Sequence, residues 1–294
     1  CRFSTSMTLS QDRVVVDVAC DMNVSDVGVA EGPITTQRST IHRVAREDAA
    51  RRDVPMAVRW RGADGSLSES ALARVVVEDV LAGMPVRDCR WYRGRRFYSG
   101  WYWSATMRRL VAYESRLELA RIMLADFDAA VVGIAAQPFQ LVGEDGSRVR
   151  RHVPDLLLLN DSGLVTVVDV KPARRVAEPD VAAMFAWTRE VVAARGWAFE
   201  VWTGADRQVL ANVTFLAGYR RRPVVNEALV PVALELAAGQ ATVGGLEAAL
   251  TSYAPLEVAR PVVLHLIWAG ALHAELERPL GSGTPISMSA GVAA

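Results

Sequence analysis

The sequence predicts an α/β chain: a core of order α-β-β-β-α-β on a mixed sheet, followed by a small C-terminal helical unit. Three observations support this. Apolar residues recur at helical spacing over 115–127 and 179–195. Runs of strand length, rich in Val and Leu, occupy 131–142, 151–159, 164–171 and 197–203. After Arg220-Arg221-Arg222-Pro223 the composition turns to Ala, Leu and Val, and 224–280 reads as three short helices.

The elements follow in order. Helical patterning begins near Ser66, with Leu72, Val75, Val76, Val80 and Leu81 on one side, and stops at Gly83. Residues 87–121 hold nine Arg against three acids, Asp88, Glu114 and Glu118, with eight aromatics between Trp91 and Tyr113. Such a mixture suits a phosphate backbone and stacked bases; the other reading is an edge whose Trp101, Tyr102 and Trp103 pack inward. In the 115–127 helix, Leu117, Ala120, Leu124 and Phe127 share one face, and Ser115 with Glu118 forms a capping box. Gln137-Pro138 interrupts the next strand. Asn160-Asp161-Ser162-Gly163 joins the two strands after it. The 179–195 helix turns Val181, Met184, Trp187 and Val191 inward and ends at Gly196. Gly281-Ser282-Gly283-Thr284-Pro285 is a turn able to carry a small wing, which would make the C-terminal unit a winged helix.

Composition bounds the class. The 294 residues are 51% hydrophobic and 22% charged, enough for about two cored domains and too apolar for disorder. We divide the chain into 1–55, a poorly ordered leader or a misread start with Met56 as initiator; 56–223, the catalytic unit; and 224–294, a helical docking unit. Basic and acidic residues number 33 each, so any affinity for nucleic acid must be local. Cys1, Cys20 and Cys89 form no CxxC pair, against a zinc ribbon or disulfide framework. No stretch of membrane-spanning length lacks charge: 261–274 is too short and carries His265 and His273. A cytoplasmic protein without membrane contact is expected.

One hairpin concentrates the chemistry. Pro154-Asp155 stands on its first strand and Asp169-Val170-Lys171 on its second. A loop of three or five residues centred on Ser162 pairs positions whose numbers sum to 324, which sets Asp155 opposite Asp169 with Cβ atoms about 4.5–5.5 Å apart. Lys171, two residues on, leaves the same face. A two- or four-residue loop would send Asp169 to the other face. Two opposed carboxylates repel, and a divalent cation would remove the repulsion; oxygen donors suit Mg²⁺, with Mn²⁺ as substitute. Lys171 is the only lysine beside 32 arginines, as expected where a compact ammonium is needed. Glu118, or Glu114 one turn earlier, offers a third carboxylate. His152 reads as a satisfied strand-end histidine, with phosphate or metal-bound water as the other reading.

Pro154-Asp155 with Asp169-Val170-Lys171 and a preceding acid resembles the PD-(D/E)XK nuclease superfamily. Tyr113-Glu114-Ser115-Arg116-Leu117-Glu118, Asp126-Phe127-Asp128, Val132, Gln137-Pro138 and His152-Val153-Pro154-Asp155 resemble, over residues 85–223, the TnsA-like endonuclease subunit of heteromeric transposases. The resemblance implies a restriction-endonuclease-like core and a Mg²⁺-dependent endonuclease cutting double-stranded DNA at the 5′ ends of a transposon. A DDE-type transposase subunit and an AAA+ ATPase regulator would be its partners. It further implies that Asp155, Asp169, the Val170 carbonyl and Glu118 serve the metal, and that Lys171 positions the attacking water. Arg148, Arg150, Arg151, Arg220, Arg221, Arg222 and Gln137 are candidate DNA contacts. The competing readings are a stand-alone restriction or repair nuclease and an inert DNA-docking adaptor.

Overall fold

The structure, a computed structural model, describes residues 3–10, 13–20, 56–87, 98–146 and 148–289. Most of the expected leader, and part of the Arg/aromatic segment, lie outside the described residues. β1 (Phe3–Ser10) and β2 (Arg13–Cys20) are an antiparallel pair.

β3 (Ala57–Arg61) and β4 (Leu67–Ala71) form a hairpin whose turn is held by Asp64 accepting from the Ser66 N–H and hydroxyl. This corrects the helix expected from Ser66. Leu72, Val75, Val80 and Leu81 are all buried. They reach the core through a single 3₁₀ turn, the residue after it and the short helix α1 (Val77–Ala82), not through one long helix, and Val76, expected on the same side, is 49% exposed. β5 (Gly100–Ser104) and β6 (Arg109–Tyr113) make a second hairpin, which runs into α2 (Arg116–Phe127).

β7 (Val131–Ala136) and β8 (Gln140–Asp145) are separated by Gln137-Pro138, as expected. The strand expected over 151–159 is divided: β9 (Arg148–His152) ends before Pro154, and β10 (Leu156–Asn160) starts after Asp155. Proline lacks the N–H a central ladder needs. β11 (Val165–Val170), the short α3 (Ala173–Val176), α4 (Pro179–Ala193), β12 (Ala198–Trp202) and α5 (Arg207–Leu216) follow. Gly196, at φ 78°, takes the left-handed conformation that ends the turn after α4.

The central sheet has the order β12-β11-β10-β7. β10 is antiparallel to β7 and β11, and β11 is parallel to β12, so the sheet is mixed as expected. A second sheet, β4-β3-β8-β9, is wholly antiparallel. The strand pleat divides the central core in two. Leu157, Val165 and Val167 pack with Trp187 and Val192 of α4; Leu156, Leu158, Val168 and Val170 pack with Ala120, Ile122 and Ala125 of α2. Each such buried Val, Leu or Ile contributes about 1.5–3 kcal/mol.

The C-terminal unit holds three helices, α6 (Val230–Ala237), α7 (Val243–Leu250) and α8 (Leu256–Trp268), then an antiparallel pair, β13 (Leu272–Ala274) and β14 (Ile286–Met288). Its turn folds back on α7: the Val243 and Gly244 amides donate to the carbonyls of Thr284 and Ser282. Packing does not break at residue 223. Val209, Val213 and Leu216 of α5 join the same core, and Met123, Leu124 and Phe127 of α2 pack against it. Among the described residues no helix is long and apolar enough to cross a membrane.

Gly83 shows how closely the segment after α1 lies on β3. The Met84 N–H donates to the Arg61 carbonyl at 2.9 Å, and a Cβ on Gly83 would collide with that same oxygen. Gly83→Ala is expected to destabilise the chain by about 1–3 kcal/mol in urea melts. Gly281→Ala, whose Cβ would meet nothing, is the control, and an equal shift in the two variants would refute the close approach.

Candidate functional site

The site forms where the chain twice crosses between the sheets. It leaves the central sheet at Gln137-Pro138-Phe139 and returns at Val153-Pro154-Asp155. One hydrogen bond, Gln137 N–H to the Asp155 carbonyl at 2.8 Å, ties the crossings together. β10 and β11 pair Leu156 with Val168 and Leu159 with Val165, a register in which every pair sums to 324. The loop is Asp161-Ser162-Gly163. The Asn160 side chain accepts from the Leu164 N–H at 2.7 Å, and Gly163 takes φ 82°. This is the register expected from the sequence; Asp155 and Lys171 lie just beyond the paired residues, at the end of the hairpin that carries Asp169.

Pro154 shapes what happens next. Continuing the ladder would set Pro154 against Val170. Instead the Val170 amide donates to Asp155 Oδ2 at 2.7 Å. In an extended chain the Val170 carbonyl points the same way as its N–H, toward a proline with no N–H to give. That strand therefore supplies the carbonyl no donor.

The charged groups meet here. Burial, then the neighbouring charges of Asp169 and Glu118, raise the Asp155 carboxyl to about 7; the Val170 hydrogen bond and the Lys171 ammonium act the other way. Burial also raises Glu118, opposed by hydrogen bonds from the Glu114 N–H at 2.8 Å and the Ser115 hydroxyl at 2.9 Å. The Glu118 N–H returns a bond to Ser115 Oγ, completing the capping box. Asp169 is 2% exposed, and both its oxygens lie on His152 Nε2, at 2.7 and 3.0 Å. His152 is thus a satisfied strand-end histidine, and its partner is the central aspartate. Sequence reading missed that contact because His152 belongs to the other sheet, where it pairs with Leu141; its place two residues before Pro154 was the available signal.

The other candidates divide by exposure. Gln137 is 3% exposed, its backbone stands in the left-handed region at φ 45°, and its Oε1 is buried without a hydrogen-bond partner. A non-glycine residue held so beside a site is strained backbone. Arg150 is buried, bonded to Asp145 and set over the Trp187 ring at 5.9 Å, so it offers no surface to DNA. Arg220 is half-buried and engaged: it donates to the Trp103 carbonyl at 2.8 Å and lies 4.6 Å over the Tyr102 ring. Arg148 and Arg222 are exposed but paired, with Asp145 at 3.2 Å and Glu227 at 3.7 Å. Arg151 is exposed, and Arg221 is exposed over the Trp103 ring at 4.9 Å.

A residue outside the candidate list orients the neighbourhood. Asp126 of α2 is 6% exposed and accepts from the Tyr102 and Ser104 hydroxyls and from the Ala105 and Thr106 amides, at 2.5–2.9 Å. It fixes the β5–β6 turn onto the helix that carries Glu118.

These residues fit a hard divalent cation by chemistry. Two carboxylates, Asp169 and Glu118, lie close enough to raise Asp155, and a 2+ charge would relieve that repulsion. They do not form a closed cage: among the described residues no group of three Asp, Glu, His or Cys side chains is disposed to hold a metal. Glu118 is turned into its own helix start, and Asp169 toward His152. No family model matches the chain, and no curated protein matches it.

The raised Asp155 has a consequence for stability. Its folded value lies above the ordinary 3.8, so between those values the folded chain holds a proton that the unfolded chain has released. The contribution is full below about pH 4 and is lost as pH rises through about 7; Glu118 has the same sign. In EDTA, the melting temperature is expected to fall from pH 5 to pH 8, and Asp155→Asn should flatten the fall. An unchanged slope in that variant would discount the raised carboxyl.

Proposed function

We propose that the chain is a Mg²⁺-dependent DNA endonuclease, the subunit of a heteromeric transposase that hydrolyses phosphodiester bonds at the 5′ ends of a transposon. The observation that carries this reading is the β10–β11 register, which brings Asp155 and Asp169 to one end of the hairpin with the Val170 amide on Asp155 Oδ2 at 2.7 Å, close enough to Asp169 and Glu118 for their charges to raise Asp155. The α-β-β-β-α-β order of α2, β7, β10, β11, α4 and β12 supports it. So does the resemblance of the same residues to the TnsA-like family. DNA, a DDE-type transposase and an AAA+ ATPase are the partners in this reading, and the cytoplasm its compartment. The three helices and strand pair after residue 229 are the docking unit.

Asp155 and Asp169 would hold the metal, with the Val170 carbonyl as a further oxygen donor. Glu118 would reach it through a water or by leaving its cap. When bound, the cation polarises a phosphoryl oxygen and lowers the pKa of coordinated water. Lys171 supplies a point charge where negative charge develops on the phosphate. His152, on both oxygens of Asp169, holds that carboxylate in place. Asp155 would serve as a ligand only when deprotonated, so the proton its surroundings favour would have to leave it.

Supercoiled plasmid or a transposon-end duplex, with Mg²⁺ and the partner subunits supplied, tests the assignment. Asp155→Ala, Asp169→Ala and Lys171→Ala should each reduce cleavage by about 10²-fold or more while the far-UV spectrum is kept. Lys171→Arg should be impaired as well, since a planar fork does not replace a point charge. Glu118→Ala should lose more activity than Glu114→Ala. Undiminished cleavage by any of the three alanine variants would remove the proposed site.

A further inference from the structure

A single atom fills the open side of the Asp169 carboxylate. His152 Nε2 lies 2.7 Å from Oδ2 and 3.0 Å from Oδ1. Similar distances to both oxygens place the nitrogen in the notch between them. A cation gripped by both oxygens at once would need that same notch. A carboxylate accepts and does not donate, so Nε2 carries the proton of this contact and acts as a donor, not as a metal ligand.

Both partners stand on backbone that is held in place. His152 pairs with Leu141 in the second sheet, and Asp169 with Val201 in the central sheet. Val153 and Pro154, which follow His152, are buried, as are Val168 and Val170 on either side of Asp169. The side chains themselves have little room: that of His152 is 15% exposed and that of Asp169 3%. The contact therefore joins two strands rather than two loops, and it leaves a cation one oxygen of Asp169 at a time.

Divalent cations differ in what they ask of a carboxylate. Ca²⁺ gathers about six to eight oxygens at about 2.3–2.6 Å and takes carboxylates by one oxygen or by both, whereas Mg²⁺ demands octahedral geometry at about 2.0–2.1 Å and is served by single oxygens. We infer that His152 is a positioning residue that sets the ion specificity of the Asp155–Asp169 site. By filling the notch it holds Asp169 to single-oxygen coordination, which suits Mg²⁺ and denies Ca²⁺ a two-oxygen grip. The inference rests on the metal-dependent nuclease reading and adds which cation that site admits.

The test is metal binding, not cleavage. The electron paramagnetic resonance signal of free Mn²⁺ reports its uptake by the full chain, and Mg²⁺ or Ca²⁺ is added as competitor. The parent should prefer Mg²⁺ over Ca²⁺, and His152→Ala should shrink that preference about tenfold. His152→Gln, whose amide nitrogen reaches the place of Nε2, should restore it. His152→Asn, whose amide ends at the place of Nδ1, should behave as the alanine variant does. A parent with no preference would overturn the inference, and so would an unchanged preference in the alanine and asparagine variants. Equal weakening of both cations would overturn it too, since a lost ligand or a loosened strand gives that result. Asp155→Ala should abolish Mn²⁺ uptake. Uptake that depends on Asp155 but shows no shift in preference at His152 keeps the nuclease site and removes this role. A parent that takes up no Mn²⁺, or an Asp155→Ala chain that binds it as the parent does, removes both.

Discussion

The hydrogen bond from the Val170 amide to Asp155 Oδ2 is the constraint on which the site depends. A ladder that continued past Leu156 would need a donor from Pro154, and none exists. The ladder therefore stops at Leu156 and Val168. An aspartate at the break recovers the orphaned amide with its own side chain. The outcome is a half-buried carboxylate held near Asp169 despite the repulsion between them. A surface aspartate would turn toward solvent instead.

The two crossings share that constraint. Pro138 and Pro154 stop the ladders on adjacent strands, and the bond between Gln137 and Asp155 joins the stops. The left-handed backbone of Gln137 and its unpartnered amide oxygen lie at that joint. Departures from ordinary satisfaction gather where the polar residues do, while β10 and β11 beside them are mostly Leu and Val. The apolar layers hold the joint in a shape it would not take unaided.

Much of this was legible in the sequence. Loop length and strand parity specify register, so the pairing of β10 with β11 follows from the glycine and the two polar residues between them. The capping box at Ser115 and Glu118 and the break at Pro138 are local chemistry and read directly, whereas 151–159 reads as one strand straight through the break at Pro154. Three other things were not legible. The spacing of Leu72, Val75, Val80 and Leu81 suits a helix, yet a 3₁₀ turn, the residue after it and a short helix bury the same four residues. Arg150 and Arg220 look like surface charge in a row of arginines, and only tertiary structure lays them over Trp187 and Tyr102. The contact of His152 with Asp169 crosses from one sheet to the other, beyond the reach of any spacing rule.

The burial of Asp126 ties two neighbouring elements into one cooperative unit. Its carboxylate is satisfied only while the β5–β6 turn stays on α2, so peeling the turn away would strand a charge in the interior. Local fraying of that turn is thereby coupled to unravelling of the helix. The amides of Ala105 and Thr106 sit in a connection between strands, where hydrogen exchange is usually fast. Here they would trade their protons only when the helix opens too, and the turn would behave as an extension of the core.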